Sequence, residues 1–287
     1  MRIAIIGADG QLGSDITSLL KKNNIEVAEL TINEIDVADR DSVNTVLTPD
    51  LNADLIINTA AFHHVENCEK DPITSFRVNG EGAANVARAC KTLKIPLYHI
   101  STDYVFDGKK KKPYIESDLP NPLNIYAASK LTGEYMVTSN HKESRILRLS
   151  GIYGHNICIE KGYNFVDKIL QTGEKNGEVK VVDDEFLTPT FTEEIAEQIF
   201  VMIEKNAEPG IYHVSAEGGC SWYEFTKEIF KIKNNGVKVN KAAPGEFAGG
   251  VHRPANSVLE NKHLKDLGLN IMTHWKAGLK KYIQTYR

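Results

Sequence analysis

The sequence is poor in cysteine and has no long apolar run. Four of its 287 residues are cysteine, and Cys68, Cys90, Cys158 and Cys220 lie far apart with no CxxC pair. This spacing favours neither a zinc site nor a disulfide framework. The apolar runs all fall well short of the roughly 20 residues that span a bilayer. We therefore expect no metal site, no membrane partner and a reducing environment.

The start of the chain has little that resembles a targeting segment. Met1 and Arg2 lead straight into the short run "IAIIG", after which a glycine loop begins. A secretory signal has a longer apolar core and small residues at its cleavage site. The expected localisation is therefore the cytoplasm.

An excess of positive charge is also lacking. The chain has 34 basic and 38 acidic residues, for a formal net charge of −4. Nucleic-acid-binding proteins carry a basic face, so we expect no nucleic-acid partner. The run Lys109–Lys112 stands beside Pro113 and predicts a solvated loop.

What the sequence has is a regular alternation of short apolar runs and helix-like segments. The runs "IAIIG", "IEVAEL", "DLIINTA", "IPLYHIS" and "SRILRLS" predict strands, and "QLGSDITSLLKKN" and "EGAANVARACKTLK" predict helices between them. Apolar strands that alternate with helices form a parallel sheet covered on both faces. The fold class is therefore α/β, with a Rossmann-like, doubly wound parallel sheet.

The alternation of predicted strands and helices is less regular in the second half of the chain. Helices are predicted at "NFVDKILQTG", "TEEIAEQIFVMIEK" and "SWYEFTKEIFKI". We expect residues 1–155 to form the doubly wound domain and residues 156–287 a smaller α/β substrate domain. The two are expected to interleave, with residues from about 180 to 205 packing on the first domain.

A glycine loop separates the first strand from the first helix. The stretch "IIGADGQLGSDI" contains Gly7, Gly10 and Gly13. In such a loop the first glycine allows a tight turn, the second a close approach to pyrophosphate, and the third close packing of helix on strand. The helix N-terminus offers free N–H groups to the phosphates. The spacing is GxxGxxG and not GxGxxG, but its position favours dinucleotide binding over a simple turn.

The end of the second predicted strand bears on which dinucleotide binds. Thr31 stands there, with Glu29 and Glu34 as neighbours and no arginine in the stretch "VAELTINEIDVAD". A carboxylate at this point would repel the 2′-phosphate of NADP, whereas Thr31 would not. The sequence therefore leaves NADPH or NADH open, with a slight preference for NADPH. Asp36 and Val37 either line the adenine or form an exposed turn.

Tyr126 and Lys130 stand four residues apart in "NIYAASKLTGE". This spacing places both on one face of a helix. An ammonium near a phenol lowers its pKa, and such a pair can pass a proton to a ketone oxygen. Alone the pattern favours an ordinary amphipathic helix, but together with the N-terminal glycine loop and a hydroxyl at a strand end it is specific for this chemistry.

The stretch "STDYVFDG" follows the fourth predicted strand. Ligands of doubly wound sheets bind beyond the carboxyl ends of the strands, so a hydroxyl there can hold the oxygen that Tyr126 protonates. We expect Thr102 to position the substrate and Ser101 to be structural.

Taken together, these segments resemble the dTDP-4-dehydrorhamnose reductase family of extended short-chain dehydrogenases/reductases. The similarity runs nearly end to end, through "GADGQLG", "STDYVFDG", "NPLNIYAASKLTGE", "PTFTEEIA" and "HWKAGLKKYI". The resemblance implies an NAD(P)-binding Rossmann domain, a C-terminal sugar-nucleotide domain, a nucleotide-sugar substrate and a monomer or homodimer. It implies Thr102, Tyr126 and Lys130 as catalytic residues. The cofactor-binding residues it implies are Gly7, Gly10, Gln11, Leu12, Gly13, Asp36, Val37, Ala60, Ala61, Tyr126 and Lys130. The substrate-binding residues it implies are Thr102, Asp103, Tyr104, Gly151 and Arg253, and Asn79 resembles an asparagine near such active sites.

The chain departs from the family pattern around the sugar. Gly151 stands where the family has tryptophan, and this change is expected to open room and remove an apolar wall. Glu185 and Leu187 replace the usual glutamine and glycine, and "FHHVE", residues 62–66, replaces a Tyr-Thr-x-Val-Asp pattern. Asp15 and Glu193 match two acids that bind magnesium in some members, but the C-terminal acid is missing from "QTYR", so no metal is expected.

The expected reaction is reduction of the C4 ketone of a nucleotide-linked 4-keto-6-deoxy sugar, with dTDP-4-dehydro-L-rhamnose as the main candidate. One alternative is a 4-ketoreductase for another nucleotide deoxysugar, which the change at Gly151 favours. Dehydratases of this type carry a glutamate where this chain has Tyr104. A second alternative is a non-catalytic NADP-binding subunit similar to the methionine adenosyltransferase β subunit. The complete Thr102, Tyr126 and Lys130 set favours an enzyme.

Overall fold

The computed structural model describes residues 1–156, 162–243, 245–247 and 249–285. Cys158 lies outside the described residues. The strands are β1 (Arg2–Ile6), β2 (Glu26–Leu30), β3 (Leu55–Asn58), β4 (Leu97–Thr102), β5 (Ser144–Leu149), β6 (Ile152–Tyr153), β7 (Glu178–Val181), β8 (Phe186–Leu187), β9 (Thr190–Phe191), β10 (Gly210–His213), β11 (Cys220–Ser221) and β12 (Lys238–Lys241).

The helices alternate with these strands in the first half of the chain. They are α1 (Gln11–Lys22), α2 (Arg40–Val46), α3 (Val65–Lys70), α4 (Pro72–Phe76), α5 (Ala83–Leu93), α6 (Ile125–Asn140), α7 (Phe165–Asn176), α8 (Thr192–Glu204), α9 (Trp222–Lys233), α10 (Lys262–Asp266) and α11 (Trp275–Thr285). A π-helical segment, Arg77–Gly82, joins α4 to α5. Of the helices in the described ranges, none is both long and apolar enough to cross a bilayer.

A six-stranded parallel sheet forms the centre of the molecule, in the order β10-β5-β4-β3-β1-β2. The predicted α/β fold with a parallel sheet is confirmed. The order of the strands reverses between β1 and β3, and ligands of such sheets bind at the carboxyl edge beside this reversal. The five predicted strands all lie in the sheet. The sixth, β10, was not predicted, because its sequence "GIYH" contains no continuous apolar run of the kind seen in the other strands.

Each face of the sheet carries its own apolar core. On one face, Leu12 and Ile16 of α1 share a core with Ile195 and Ile199 of α8. On the other face, Val86 of α5 and its neighbours pack on β1, β3 and β5. Helix α8 and strand β10 thus complete the sheet layer although they come late in the chain.

A third core belongs to the second half of the chain. It gathers buried aromatic residues that stack or meet edge to face, including Tyr153, Phe191, Phe225 and Tyr282. Helices α7, α9 and α11 supply most of the remaining apolar side chains. We propose that this core defines the substrate domain expected for residues 156–287.

The chain returns to the carboxyl edge of the sheet through residues 252–260, here called the return segment. Asn124 Nδ2 donates to the His252 carbonyl at 2.9 Å, and the same side chain caps α6 by accepting from Ala127 N. Tyr114 N donates to the Val258 carbonyl at 2.8 Å. The return segment therefore fixes the start of α6, the helix that carries Tyr126 and Lys130.

Candidate active site

The glycine loop has the shape that a phosphate cradle requires. Gly7 has φ +79°, and a Cβ there would lie 2.7 Å from Thr59 Oγ1. A Cβ on Gly13 would lie 2.1 Å from the Gly7 carbonyl oxygen. A side chain is therefore excluded at Gly7 by backbone conformation and by space, and at Gly13 by space. The loop brings β1 and α1 into direct contact, as the sequence predicts.

The N-terminus of α1 is free to bind an anion. Gly10 is the N-cap and supplies no side-chain cap, and the first turn has no acidic residue. Gln11 Nε2 is buried without a hydrogen-bond partner among the described residues, and Leu12 is buried beneath the loop. An uncapped helix N-terminus attracts phosphate. The residues present therefore fit the pyrophosphate of a dinucleotide.

The end of β2 lies beside this cradle. Gly7 N donates to the Leu30 carbonyl at 2.7 Å. Thr31, the next residue, binds the Glu34 carboxylate through its N–H and its hydroxyl. Asp36 is exposed and accepts from Ala38 N at 2.9 Å.

Val37, expected at the adenine, has a buried side chain, 4% exposed. A Cβ on Gly82 would lie 2.9 Å from Val37 Cγ2, and Asn85 Nδ2 donates to the Val37 carbonyl at 3.1 Å. The residue thus packs beneath the π-helical segment. A role in binding adenine stays a prediction.

Ala60 and Ala61 follow β3 on the other side of the reversal. Both are partly exposed, and Ala60 N lies 3.1 Å from the position of a Gly7 Cβ. Asn79 holds this loop: its side chain exchanges hydrogen bonds with Phe62 N and O and donates to Ser129 Oγ on α6. Asn79 is 1% exposed, so we assign it to positioning the loop against the catalytic helix.

Tyr126, Thr102 and Lys130 lie together at the end of β4. The Thr102 hydroxyl lies close enough to the Tyr126 phenol to affect its pKa. Thr102 Oγ1 also accepts from Tyr104 N at 3.2 Å. Lys130 lies one turn along α6 from Tyr126, and its Nζ donates to the Ile100 carbonyl at 2.6 Å.

The pKa of Tyr126 differs from the sequence-based expectation. Burial raises it above its ordinary value, although the Thr102 hydroxyl lowers it. The Lys130 ammonium is bound to the backbone of β4, and burial lowers the pKa of that amine to about 8 while Glu134 raises it. The phenol is therefore fully protonated at neutral pH, which is the state that a proton donor needs.

Asp103, expected to face the sugar, is buried and 3% exposed. Its carboxylate accepts from Ser257 Oγ at 2.5 Å, from Ser150 Oγ at 2.7 Å and from Thr102 Oγ1 at 3.1 Å. It thereby ties the ends of β4 and β5 to the return segment. Burial raises the pKa of Asp103 to about 6, although the three hydroxyls lower it.

The buried Asp103 carboxyl should make stability depend on pH. Its folded pKa of about 6 lies above its ordinary value of 3.8, so between these values the folded state holds a proton that the unfolded state has lost. Its contribution to the free energy of unfolding therefore falls by about 2 to 3 kcal/mol as pH rises from 4 to 7. Urea unfolding of the wild type and Asp103→Asn at several pH values checks this. A difference between the two proteins that does not change with pH would contradict it.

Arg253 lies near Tyr104 and between two carboxylates. It forms an ion pair with Glu66 at the start of α3, and its charge lowers the pKa of Glu185, which burial raises. Tyr104 meets Tyr126 edge to face, with ring centroids 6.1 Å apart, and the charge of Arg253 acts on its phenol. The structure thus brings Arg253, Tyr104 and Tyr126 to one side of the site. The roles of Arg253 and Tyr104 in substrate binding stay predictions.

The space next to Gly151 is filled. Gly151 has φ +53°, and a Cβ there would lie 2.6 Å from Leu187 Cδ1 and 3.2 Å from Pro189 Cα. Leu187 is 5% exposed. The side chain of Leu187 therefore occupies the space directly beside the Gly151 Cα, and more room for the sugar at this position stays a prediction. The two departures from the family pattern, at residues 151 and 187, are in contact.

The two acids that match a magnesium site in some relatives are occupied by protein groups. Asp15 accepts from Thr192 Oγ1 at 2.5 Å and from Asn156 Nδ2 at 2.7 Å. Glu193 lies 3.3 Å from Lys281 Nζ. Among the residues that the structure describes, no group of three or more His, Cys, Asp or Glu side chains could hold a metal ion.

Comparison with known proteins assigns the family. The family model described as "RmlD substrate binding domain" matches residues 1–287. The chain belongs to this family. The predicted membership of the dTDP-4-dehydrorhamnose reductases is confirmed, and with it the class of oxidoreductases.

The relatives match the chain over nearly its whole length. The spore coat polysaccharide biosynthesis protein SpsK of Bacillus subtilis (strain 168) is 36% identical over 99% of this chain and 97% of its own. A dTDP-4-dehydrorhamnose reductase from Clostridium acetobutylicum is 36% identical, with a TM-score of 0.93 and 99% coverage of both chains. A dTDP-4-dehydrorhamnose reductase from Bacillus anthracis, solved in complex with NADP, is 34% identical, with a TM-score of 0.93 over 99% of this chain and 98% of its own.

Several contacts of the site were not found from the sequence. Ser150 and Ser257 bind Asp103 from positions 47 and 154 residues away. Glu66 and Glu185 face Arg253 from two separate segments. The only signal in the sequence was that Glu66 and Glu185 depart from the family pattern, since partners this distant have no local spacing.

Proposed function

We propose that the protein catalyses NAD(P)H-dependent reduction of the C4 ketone of a dTDP-linked 4-keto-6-deoxy sugar, with dTDP-4-dehydro-L-rhamnose as substrate and dTDP-L-rhamnose as product. The observation that carries the proposal is the approach of the Thr102 hydroxyl to the Tyr126 phenol at the end of β4, one helical turn from Lys130. The names of relatives that match over nearly the whole chain support it.

Tyr126, Thr102 and Lys130 have different roles in the reaction. The bound cofactor supplies a hydride to C4. The Tyr126 phenol donates a proton to the ketone oxygen, on which negative charge develops, and Thr102 holds that oxygen through its hydroxyl. The Lys130 ammonium, fixed by the Ile100 carbonyl, adds a positive charge to the site one helical turn from Tyr126.

The return segment completes the substrate side of this site. Arg253 is the residue we assign to the nucleotide diphosphate, because a guanidinium binds phosphate oxygens in pairs. Its ion pair with Glu66 holds it beside Tyr104. Asp103 acts through Thr102 and is a positioning residue.

Turnover with defined keto sugars tests the proposal. We expect oxidation of NADPH or NADH with dTDP-4-dehydro-L-rhamnose, and weaker turnover with dTDP-4-keto-6-deoxy-D-glucose, whose C5 has the opposite configuration. A preference for the second sugar would transfer the assignment to another deoxysugar ketoreductase. Dinucleotide binding without turnover of either sugar would favour a non-catalytic subunit.

Residues 151 and 187 offer a test of how the chain shapes its sugar site. Gly151→Trp should lower the free energy of unfolding by several kcal/mol, because a side chain meets both a positive φ and Leu187 Cδ1 at 2.6 Å. Gly151→Trp combined with Leu187→Gly removes the collision with Leu187 and should recover part of the loss. Thermal unfolding of both variants checks this, with Leu187→Gly alone as the control. Equal stability of Gly151→Trp and the double variant would contradict this expectation.

A further inference from the structure

We propose that Glu34 makes this chain discriminate against cofactors that carry a 2′-phosphate on the adenosine ribose, so that it favours NADH over NADPH. The inference rests on the proposed function in that the glycine loop binds a dinucleotide. From the sequence alone, Thr31 at the end of the second strand favours NADPH. The structure places a carboxylate at the same point.

Glu34 folds back onto the end of β2. Its Oε2 accepts from Thr31 N at 2.8 Å and from Thr31 Oγ1 at 2.6 Å. Leu30, directly before Thr31, accepts from Gly7 N at 2.7 Å. The carboxylate is thus held by the residue that adjoins the phosphate cradle, although it comes three residues after the strand end.

The order of the strands assigns this position to the adenosine half of the cofactor. The pyrophosphate binds at the N-terminus of α1, beside the reversal between β1 and β3. Thr102 and Tyr126 lie beyond β3, on the β4 side of that reversal. Since the reacting half of the cofactor must reach these residues, the adenosine half extends the opposite way, over β2 and Glu34.

The surroundings of Glu34 are acidic. Residues 31–39 contain Glu34, Asp36 and Asp39 but no lysine or arginine. Arg40 follows directly, but it lines a groove with Asn85 and Arg88 between α2 and α5. Among the described residues, no lysine or arginine forms an ion pair with Glu34.

A negative charge on Glu34 favours the binding of NADH over that of NADPH. The hydrogen bonds from Thr31 lower the pKa of Glu34, so the side chain is anionic at neutral pH. A ribose hydroxyl can donate to such a carboxylate, whereas a phosphate is repelled by it. The Glu34 carboxylate is exposed to solvent, so salt screens its repulsion of the 2′-phosphate.

Direct titration of the purified protein with NADH and NADPH tests the inference. We expect wild type to bind NADH about tenfold more tightly than NADPH at low salt. Glu34→Gln keeps an oxygen for Thr31 but removes the charge, and it should tighten NADPH binding about tenfold while NADH changes less than about threefold. The preference of the wild type should shrink as salt rises from about 20 to about 300 mM.

Glu26→Gln is the matched control. Glu26 lies at the start of β2, the end of the strand opposite to Thr31 and Glu34, where it pairs with Arg2 at 3.4 Å, so its variant should leave the NADH to NADPH ratio unchanged. An equal ratio in wild type and Glu34→Gln, or a wild type that prefers NADPH, overturns the inference and leaves the reductase proposal intact. Failure to bind either dinucleotide overturns both.

Discussion

Replacing Tyr126 with phenylalanine should lower kcat by about 10² to 10⁴, the range that a positioned general acid contributes. The variant loses only the phenolic oxygen, whose pKa the nearby Thr102 hydroxyl lowers. Burial keeps this phenol protonated, so it acts as a donor to the ketone oxygen and not as a base. Steady-state kinetics with a saturating reductant measures the loss.

The effect of Tyr126→Phe should be confined to chemistry. Cofactor dissociation constants should stay within about threefold of wild type, because the pyrophosphate cradle is formed by α1 and β1. Tyr135→Phe is the matched control, since Tyr135 lies on the same helix with 62% of its surface exposed. A Tyr126→Phe enzyme with wild-type kcat would show that another group donates the proton.

Replacing Glu134 with glutamine should lower the free energy of unfolding by about 3 to 5 kcal/mol. Glu134 and Arg148 form a two-bond ion pair, with distances of 2.9 and 2.7 Å, and both side chains are almost fully buried. Removing one charge leaves the other in an apolar interior without a counter-charge. Urea unfolding, or the shift in Tm where unfolding is irreversible, measures the loss.

Two further variants separate this effect from a general loss of packing. Glu134→Leu with Arg148→Met removes both charges at similar volume and should recover most of the stability. Asp266→Asn breaks the exposed pair with Lys262 and should change the free energy of unfolding by less than about 1 kcal/mol. A Glu134→Gln variant as stable as Asp266→Asn would contradict the account.

The buried pair also bears on the active site. Glu134 lies one helical turn beyond Lys130 and raises the pKa of that amine. Ser101 Oγ donates to the same carboxylate at 2.5 Å. Ser101 therefore has the structural role expected from the sequence, while its neighbour Thr102 faces Tyr126.

The sequence was most informative where chemistry depends on local spacing. Gly7, Gly10 and Gly13 could be placed between β1 and α1 because a glycine loop is a local feature, and Tyr126 and Lys130 because four residues make one helical turn. Asn79, Asp103 and Gly151 could not be understood in this way. Asn79 bonds to Phe62 and Ser129, and Asp103 to Ser257, across distances that only the fold closes.

The contact of Glu34 with Thr31 could also not be predicted from the sequence, although only three positions separate the two residues. The strand ends at Leu30 and the sequence offers Thr31 as the residue beside the ribose. The turn that follows brings the Glu34 carboxylate back onto Thr31, and this turn cannot be read from residue types alone. The contact of Gly151 with Leu187 likewise joins two departures that are 36 positions apart in the sequence.

Hydride transfer to the sugar tests the central claim most directly. The protein is incubated with dTDP-4-dehydro-L-rhamnose and NADH that carries deuterium at both hydrogen positions of nicotinamide C4, and the product is analysed by mass spectrometry and NMR. We expect one deuterium at C4 of dTDP-L-rhamnose, and a loss of this product in Tyr126→Phe. Bound cofactor with no deuterated sugar from the wild-type protein would contradict it.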